Sequence, residues 1–237
     1  MNAEIKVLAM TAASIGFFHT LFGPDHYVPF IVMAKTRRWS YLKTILVTVL
    51  CGIGHVGSSV VLGLLGVALG IAVEKLEIFE SIRGDWAAWA LIAFGLAYFI
   101  YGIRQAIINQ PHAHNHFHSD GHPHDHEHNH HGEHAHLHDL KGIAHPVTWS
   151  LFVIFVFGPC EPLIPILMYP AAKHSLLGMA AVTIVFSLFT VGTMLSIVLM
   201  GTFGVKLLSF KRIEKFSHAI AGFTIFLCGC AIKFLGL

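Results

Sequence analysis

Histidine is the residue type in this 237-residue chain that most directly suggests chemistry, because its 19 histidines outnumber the 15 lysines and arginines. Thirteen of them crowd between residues 112 and 138, whereas His19, His26 and His55 are scattered in strongly apolar sequence. Imidazole is a good ligand for zinc, copper, iron and nickel. Both populations therefore predict metal binding, one at a dense polar tract and one at a sparse apolar location.

The scattered histidines share their apolar surroundings with acidic and thiol side chains. A charged group in the middle of a bilayer costs at least a few kcal/mol and usually marks a site or a pathway. A mixture of nitrogen, oxygen and sulfur donors favours a transition metal over magnesium or calcium, which take oxygen ligands. Hydrogen-bonded packing histidines and a core cysteine are the alternative interpretation. The candidate ligands are His19, Asp25, His26, His55, Cys160 and Glu161.

The dense histidines alternate with small, polar and acidic residues, as in His112-Ala113-His114. Such a tract cannot bury enough apolar surface to fold by itself, and His-rich tracts commonly bind metal. We expect loose, exchanging binding of several ions, which captures or buffers metal. A neutral linker and a pH-sensing tract are the alternatives. The auxiliary ligands are His112, His114, His116, His118, His122, His124, His126, His128, His130, His131, His134, His136 and His138.

The elements that must position these residues are membrane helices. Hydrophobic residues make up 55% of the chain and charged residues 12%, against about 25% charged in an ordinary soluble domain. This composition excludes a soluble globular enzyme and a disordered chain, and a net charge of +2 excludes a nucleic-acid binder. A helix needs about 20 mostly apolar residues to cross a bilayer. Six such stretches are present, at 5–33, 42–73, 86–108, 144–171, 176–208 and 216–234.

Lysine and arginine indicate how these segments are oriented, because they concentrate in cytoplasmic loops. They are more numerous in the connections after the first, third and fifth segments than in the other connections and termini. We therefore expect both termini outside and the histidine tract in the cytoplasm.

An internal repeat links the two ends of the chain. Phe22-Gly23-Pro24-Asp25-His26 recurs 135 residues later as Phe157-Gly158-Pro159-Cys160-Glu161, and the same offset aligns His55 with Thr190. Proline lacks an N–H and clashes with the preceding turn, so the first and fourth helices should break at Gly23-Pro24 and Gly158-Pro159. Short matches of this kind also arise by chance.

The repeat predicts the architecture. Three segments in each half require the halves to be inverted in the membrane, and inverted repeats with broken helices are typical of transporters. We expect an all-α membrane protein of six transmembrane helices in two inverted three-helix repeats. Residues 1–109 form the first repeat, 110–143 the His-rich cytoplasmic loop and 144–237 the second repeat.

These motifs resemble the nickel/cobalt transporter family of permeases, which carries a His-x4-Asp-His signature in an early helix and a Gly-His pair in the next. Here His19, Asp25 and His26 form His-x5-Asp-His, one residue longer, and Gly54-His55 supplies the pair. The resemblance implies a secondary permease for Ni²⁺ or Co²⁺ in a prokaryotic inner or plasma membrane, with Zn²⁺ as a further candidate. It also implies that these four residues select the metal. A His-rich cytoplasmic loop looks most like the metal-resistance exporters of this family, and uptake members and urease-associated members are close to it as well.

We accordingly expect a transporter without enzymatic activity and without a permanently bound cofactor, driven by an ion gradient or the membrane potential. Its partners would be the divalent metal ion, the lipid bilayer and a metallochaperone at the cytoplasmic loop, and no nucleic acid. Three alternatives stay open. The Pro159-Cys160 turn is similar to those of thiol–disulfide electron carriers related to cytochrome c-maturation proteins. Sulfite-type anion exporters also have inverted repeats, and an accessory protein could bind metal without transporting it.

Overall fold

The computed structural model describes residues 3–108, 112–116, 124–128, 146–207 and 214–236, most of which are helical. The helices are α1 (Ala3–Phe22), α2 (Val28–Thr36), α3 (Tyr41–Ala68), α4 (Val73–Ile108), α5 (Pro146–Phe157), α6 (Leu163–Ala172), α7 (Leu176–Leu207) and α8 (Ser217–Leu235). Two 3-10 turns, at Pro24–His26 and Glu214–Phe216, precede α2 and α8. Strands β1 (His112–His116) and β2 (His124–His128) lie in the histidine tract.

Five helices, α1, α3, α4, α7 and α8, are long and apolar enough to cross a membrane, whereas α5 and α6 are apolar but shorter. Their outer surfaces expose large apolar side chains, among them Trp86, Leu188 and Met200. A soluble protein rarely exposes apolar surface of this extent. The length and surface of the helices are therefore those of an integral membrane protein.

Both predicted helix breaks lie at the Gly-Pro pairs. Helix α1 ends at Phe22, directly before Gly23-Pro24, and the chain resumes as a 3-10 turn and then α2. Helix α5 ends at Phe157, directly before Gly158-Pro159, and α6 follows after a short turn. Pro24 begins the 3-10 turn, where its missing N–H would be unpaired anyway and costs no backbone hydrogen bond.

The third apolar segment is longer than the hydropathy pattern predicts. Its predicted start is Trp86, but α4 begins at Val73 and is 36 residues long. The charged residues Glu80 and Arg83 therefore lie in a helix rather than in a loop. Charges lower the mean hydropathy of this stretch, yet it contains no glycine or proline before Gly84 and buries Leu76 and Glu80.

Glycines allow α4 and α8 to approach each other more closely than any side chain would permit. A Cβ atom on Gly95, Gly102 or Gly222 would overlap the backbone of the opposite helix. Residue numbers rise along α4 as they fall along α8, so these two helices are antiparallel. The close pairs are Gly95 with Phe226, Gly102 with Ala219, Gly222 with Phe99 and Gly229 with Ile92.

Most of the other helix contacts also cross between the two halves of the chain. Helix α1 packs against α7 and α5 against α3, while α2 contacts α7 and α8, and α6 contacts α3 and α4. Buried side chains form two apolar clusters, one around Phe30 and Phe155 and the other around Val56 and Phe186. His55 packs near Phe155 and His19 near Phe186. The candidate histidines thus lie between the two clusters.

Within the histidine tract, β1 pairs antiparallel with β2, and His112, His114 and His116 are opposite His128, His126 and His124. The sequence predicts that this tract does not fold by itself, so the paired strands differ from that prediction. Backbone hydrogen bonds account for it, since they need no apolar side chains. The other tract histidines lie outside the described residues: His118, His122, His130, His131, His134, His136 and His138.

Candidate metal centre

Three histidines that are far apart in the sequence converge where α1, its 3-10 turn and α3 meet. One nitrogen from each of His19, His26 and His55 lies within 4.8 Å of the other two. His26 and His55 are buried and His19 is partly buried. Of the residues that the structure describes, these three alone form such a group of metal-ligating side chains.

The break after α1 is what brings His19 and His26 together. Seven residues along an uninterrupted helix would separate them by about 10 Å along the axis. With the chain turned at Gly23 and Pro24, their ring centroids are 4.7 Å apart and nearly perpendicular. The broken helix therefore converts a sequence spacing into a pair of neighbouring imidazoles.

His26 is oriented by two oxygen acceptors on one side of its ring. Its Nδ1 lies 3.0 Å from Oδ1 of Asp25 and 3.1 Å from the carbonyl oxygen of Gly23. Both partners accept hydrogen bonds, so Nδ1 carries the proton and Nε2 of the neutral ring carries the lone pair. This carboxylate–histidine arrangement is the one that orients metal-binding histidines in proteins. The Asp25 side chain thus contacts Nδ1 of His26, on the side of the ring away from His55, and is not a member of the three-histidine group.

Gly23 is required at this turn for space rather than for backbone conformation. Its φ of −88° is accessible to any residue. A Cβ atom there would lie 2.5 Å from Nδ1 of His26 and 2.9 Å from Oδ1 of Asp25. Any side chain at this position would displace the imidazole or the carboxylate that orients it.

His55 supplies the third imidazole, from the middle of α3. Its Nε2 lies 3.2 Å from Nε2 of His26, close to the separation of about 3.4 Å expected for two nitrogens on one tetrahedral zinc ion. Because Nε2 of His26 carries a lone pair, Nε2 of His55 donates the hydrogen bond without metal, and its buried Nδ1 has no hydrogen-bond partner. Metal binding requires His55 to move its proton to Nδ1 and turn the freed lone pair towards the ion.

Cys160 and Glu161, the candidate ligands of the second half, are placed differently from each other. Cys160 is fully buried, and its Sγ lies 3.8 Å from Nε2 of His19. Glu161 is exposed and lies outside the three-histidine group. Cys160 is not a member of that group either, but its Sγ contacts one of the three histidines, His19.

A buried ion pair beside the second break was not identified from the sequence. Glu80 is fully buried, and its Oε1 lies 3.2 Å from Nη1 of Arg83, whose side chain is 12% exposed. Arg83 also donates hydrogen bonds to the carbonyl oxygens of Phe157 (3.3 Å) and Gly158 (2.8 Å), at the end of α5. Removing one partner of a buried pair costs about 3–5 kcal/mol. The i, i+3 spacing of the two residues was the available sequence signal.

A cavity extends from His55 towards the second break. Its polar lining includes Asp25 and His55, and α4 contributes small residues such as Ala87 and Ala88 to its wall. The side chain of Asp25 is 27% exposed. A cation inside this cavity would therefore face a carboxylate and an imidazole across an otherwise mostly apolar wall.

Known proteins give no independent indication of what this centre does. No protein-family model matches the chain, and neither a curated protein nor a solved structure matches it significantly.

Proposed function

We propose that this chain is a membrane permease that carries divalent transition-metal ions, Ni²⁺ and Co²⁺ foremost, with His19, His26 and His55 as the transport site. One observation carries the proposal: three imidazoles converge at a helix break inside a protein built of membrane-length helices. Neutral imidazole suits nickel, cobalt and zinc, whereas magnesium and calcium prefer oxygen. Asp25 orients His26 from behind and supplies negative charge beside the dication.

Two inverted halves provide the moving parts in this proposal, with α5 and α6 together crossing the membrane as the sixth span. Several helix contacts support such a relation, because each has a counterpart when the helices of one half are replaced by those of the other. Contact of α1 with α7 corresponds to contact of α5 with α3, and contact of α2 with α8 to contact of α6 with α4. The antiparallel α4–α8 pair fits the same relation, since the Gly95–Phe226 and Gly222–Phe99 approaches correspond. Rocking of such halves around a central site is the usual transport movement.

The histidine tract acts as the collector in this proposal. Its many imidazoles raise the local concentration of metal near one end of the transport path without forming the selective site. The cavity lined by Asp25 and His55 is the route by which the ion reaches the three histidines.

Reconstitution of the full chain into proteoliposomes tests the proposal. A metal-sensitive dye inside the vesicles reports entry of Ni²⁺, Co²⁺ and Zn²⁺, with Mg²⁺ as the ion expected not to enter. We expect saturable flux of the transition metals. The double variant His26→Ala, His55→Ala should lose at least about 100-fold in flux, the upper end of the loss caused by removing one outer-shell partner.

His174→Asn is the matched control, because His174 is exposed between α6 and α7 with φ at 51°, which asparagine tolerates. Unchanged flux in the double variant would exclude the three-histidine site. Metal binding without flux in the parent protein would indicate an accessory metal-binding protein. A reducible disulfide at Cys160, detected by thiol trapping, would favour the electron-carrier alternative.

A further inference from the structure

The buried pair Glu80–Arg83 has no place in the metal centre described above, although it lies close beside it. Nη2 of Arg83 donates to the hydroxyls of Ser58 (3.1 Å) and Ser59 (3.0 Å) on α3. The same guanidinium reaches the carbonyl oxygens at the end of α5, in the second half of the chain. Arg83 thus joins two helices of the first half to the break in the second.

The backbone of Cys160 is held by the same group of residues. Its N–H lies 3.2 Å from Oγ of Ser59 and 3.3 Å from Oε2 of Glu80. Both acceptors are oriented by Arg83, which pairs with Glu80 and donates to Ser59. The position of the Cys160 backbone therefore depends on Arg83 through two separate oxygen atoms.

This anchoring places the thiol next to His19. Sγ of Cys160 lies 3.8 Å from Nε2 of His19, in a fully buried position. On the other side, Ser58 accepts from Arg83 and donates to the carbonyl oxygen of His55 at 2.8 Å. One guanidinium is thus connected to the segments that carry a candidate sulfur ligand and a candidate nitrogen ligand.

We propose that Glu80 and Arg83 are positioning residues that hold Cys160 beside His19, at the edge of the three-histidine group, so that the ion is bound by three nitrogens and one sulfur. This inference rests on the proposed function, because it adds a fourth ligand to the same centre. Cys160 binds as the thiolate, and its proton is released to solvent. A sulfur ligand favours softer ions, so the pair would set the preference for Co²⁺, Ni²⁺ and Zn²⁺ over Mn²⁺.

Cobalt absorption of the purified full chain tests this inference. Co²⁺ bound by imidazoles gives visible ligand-field bands, and a coordinated thiolate adds a charge-transfer band in the near ultraviolet. We expect both in the parent protein. Cys160→Ser and Arg83→Met should lose the charge-transfer band and keep ligand-field bands, with Co²⁺ affinity in Arg83→Met about 10-fold weaker, as for loss of an outer-shell partner.

The matched control is Arg104→Met, an exposed arginine on the same helix, which should retain both bands. Arg83→Lys should restore part of the charge-transfer intensity, because a lysine ammonium keeps the charge but not the forked geometry. Ser59→Ala removes one acceptor of the Cys160 N–H without leaving a charge unpaired. Ser59→Ala should therefore weaken the charge-transfer band, and it tests the positioning role independently if Arg83→Met does not fold.

The outcomes separate the two proposals. Ligand-field bands without charge transfer in the parent protein would overturn the role of Cys160 and leave the three-histidine site standing. Undiminished charge transfer in both Arg83→Met and Ser59→Ala would overturn the positioning role alone. Absence of any cobalt absorption in the parent protein would overturn both proposals together.

Discussion

The first helix break of this protein faces a histidine, and the second faces an arginine. At the first break, the carbonyl oxygen of Gly23 accepts from His26, whose other nitrogen points to His55. At the second break, the carbonyl oxygens of Phe157 and Gly158 accept from Arg83. The carbonyl oxygen at the first break therefore contacts an imidazole, whereas those at the second break contact a guanidinium, a cation that belongs to the protein itself.

This difference shows how a repeated backbone can support a single site. Helix ends with freed carbonyls attract cations wherever they occur at membrane depth. In the second half, the guanidinium of Arg83 is the cation that binds these carbonyl oxygens. Its charge is neutralised by Glu80. Under the proposed function, the second break therefore positions a side chain, Cys160, rather than binding an ion of its own.

Acidic residues at the two breaks provide the largest expected contrast. Asp25→Asn should weaken metal affinity by about 10- to 100-fold, the usual cost of losing the carboxylate behind a ligating histidine. Glu161→Gln changes the acidic residue of the second break, which the 135-residue offset aligns with His26. It should leave affinity within about twofold because its side chain is exposed. Isothermal titration of the two purified variants with Ni²⁺ measures both affinities. Equal losses at the two positions would mean that both breaks bind the ion.

Glycines at the two breaks provide a smaller contrast. Gly23→Ala should weaken Ni²⁺ binding by about 10-fold, equivalent to about 1.4 kcal/mol, because its Cβ would lie 2.5 Å from Nδ1 of His26. Gly158→Ala should have a clearly smaller effect, since the nearest atom, Nδ1 of His55, would be 3.1 Å away. Gly192→Ala, with nothing within 4 Å, is the matched control. A larger effect at Gly158 than at Gly23 would reverse the assignment of the two breaks.

Deletion of residues 112–138 should have the smallest effect. We expect flux in proteoliposomes to persist at saturating metal, because the tract supplies none of the three histidines at the break. At limiting metal, initial rates should fall by a few-fold because fewer ions are concentrated near the protein. Complete loss of flux at saturation, in a variant that still folds, would place the selective site in the tract instead.

Local features of the chain predicted most of the helices and both interruptions. The apolar segments are close to the observed helices because burial in lipid requires length and hydrophobicity, both of which are visible in sequence. The breaks were predictable because proline and glycine act on their own backbone. His19, Asp25, His26 and His55 were identifiable because polar groups are costly in apolar segments.

The extended start of α4 was not predictable by the same reasoning. Glu80 and Arg83 lower the hydropathy of their segment, and the sequence alone favoured a charged loop. Their burial is made possible by each other and by Ser58, Ser59 and the carbonyls of the second half, none of which is their neighbour in sequence. The pairing of β1 with β2 likewise depends on backbone partners that hydropathy does not reveal.

The sequence by itself determined which residues could bind a metal and where the backbone must break, since both follow from residue type and local spacing. Only the tertiary structure decided that Cys160 lies beside His19 while Glu161 is exposed, although the two are adjacent in the chain. It also decided that Asp25 contacts the back of His26 rather than the three-nitrogen group. The physical reason is directional: a ligand set depends on where side chains point after helices from both halves have packed.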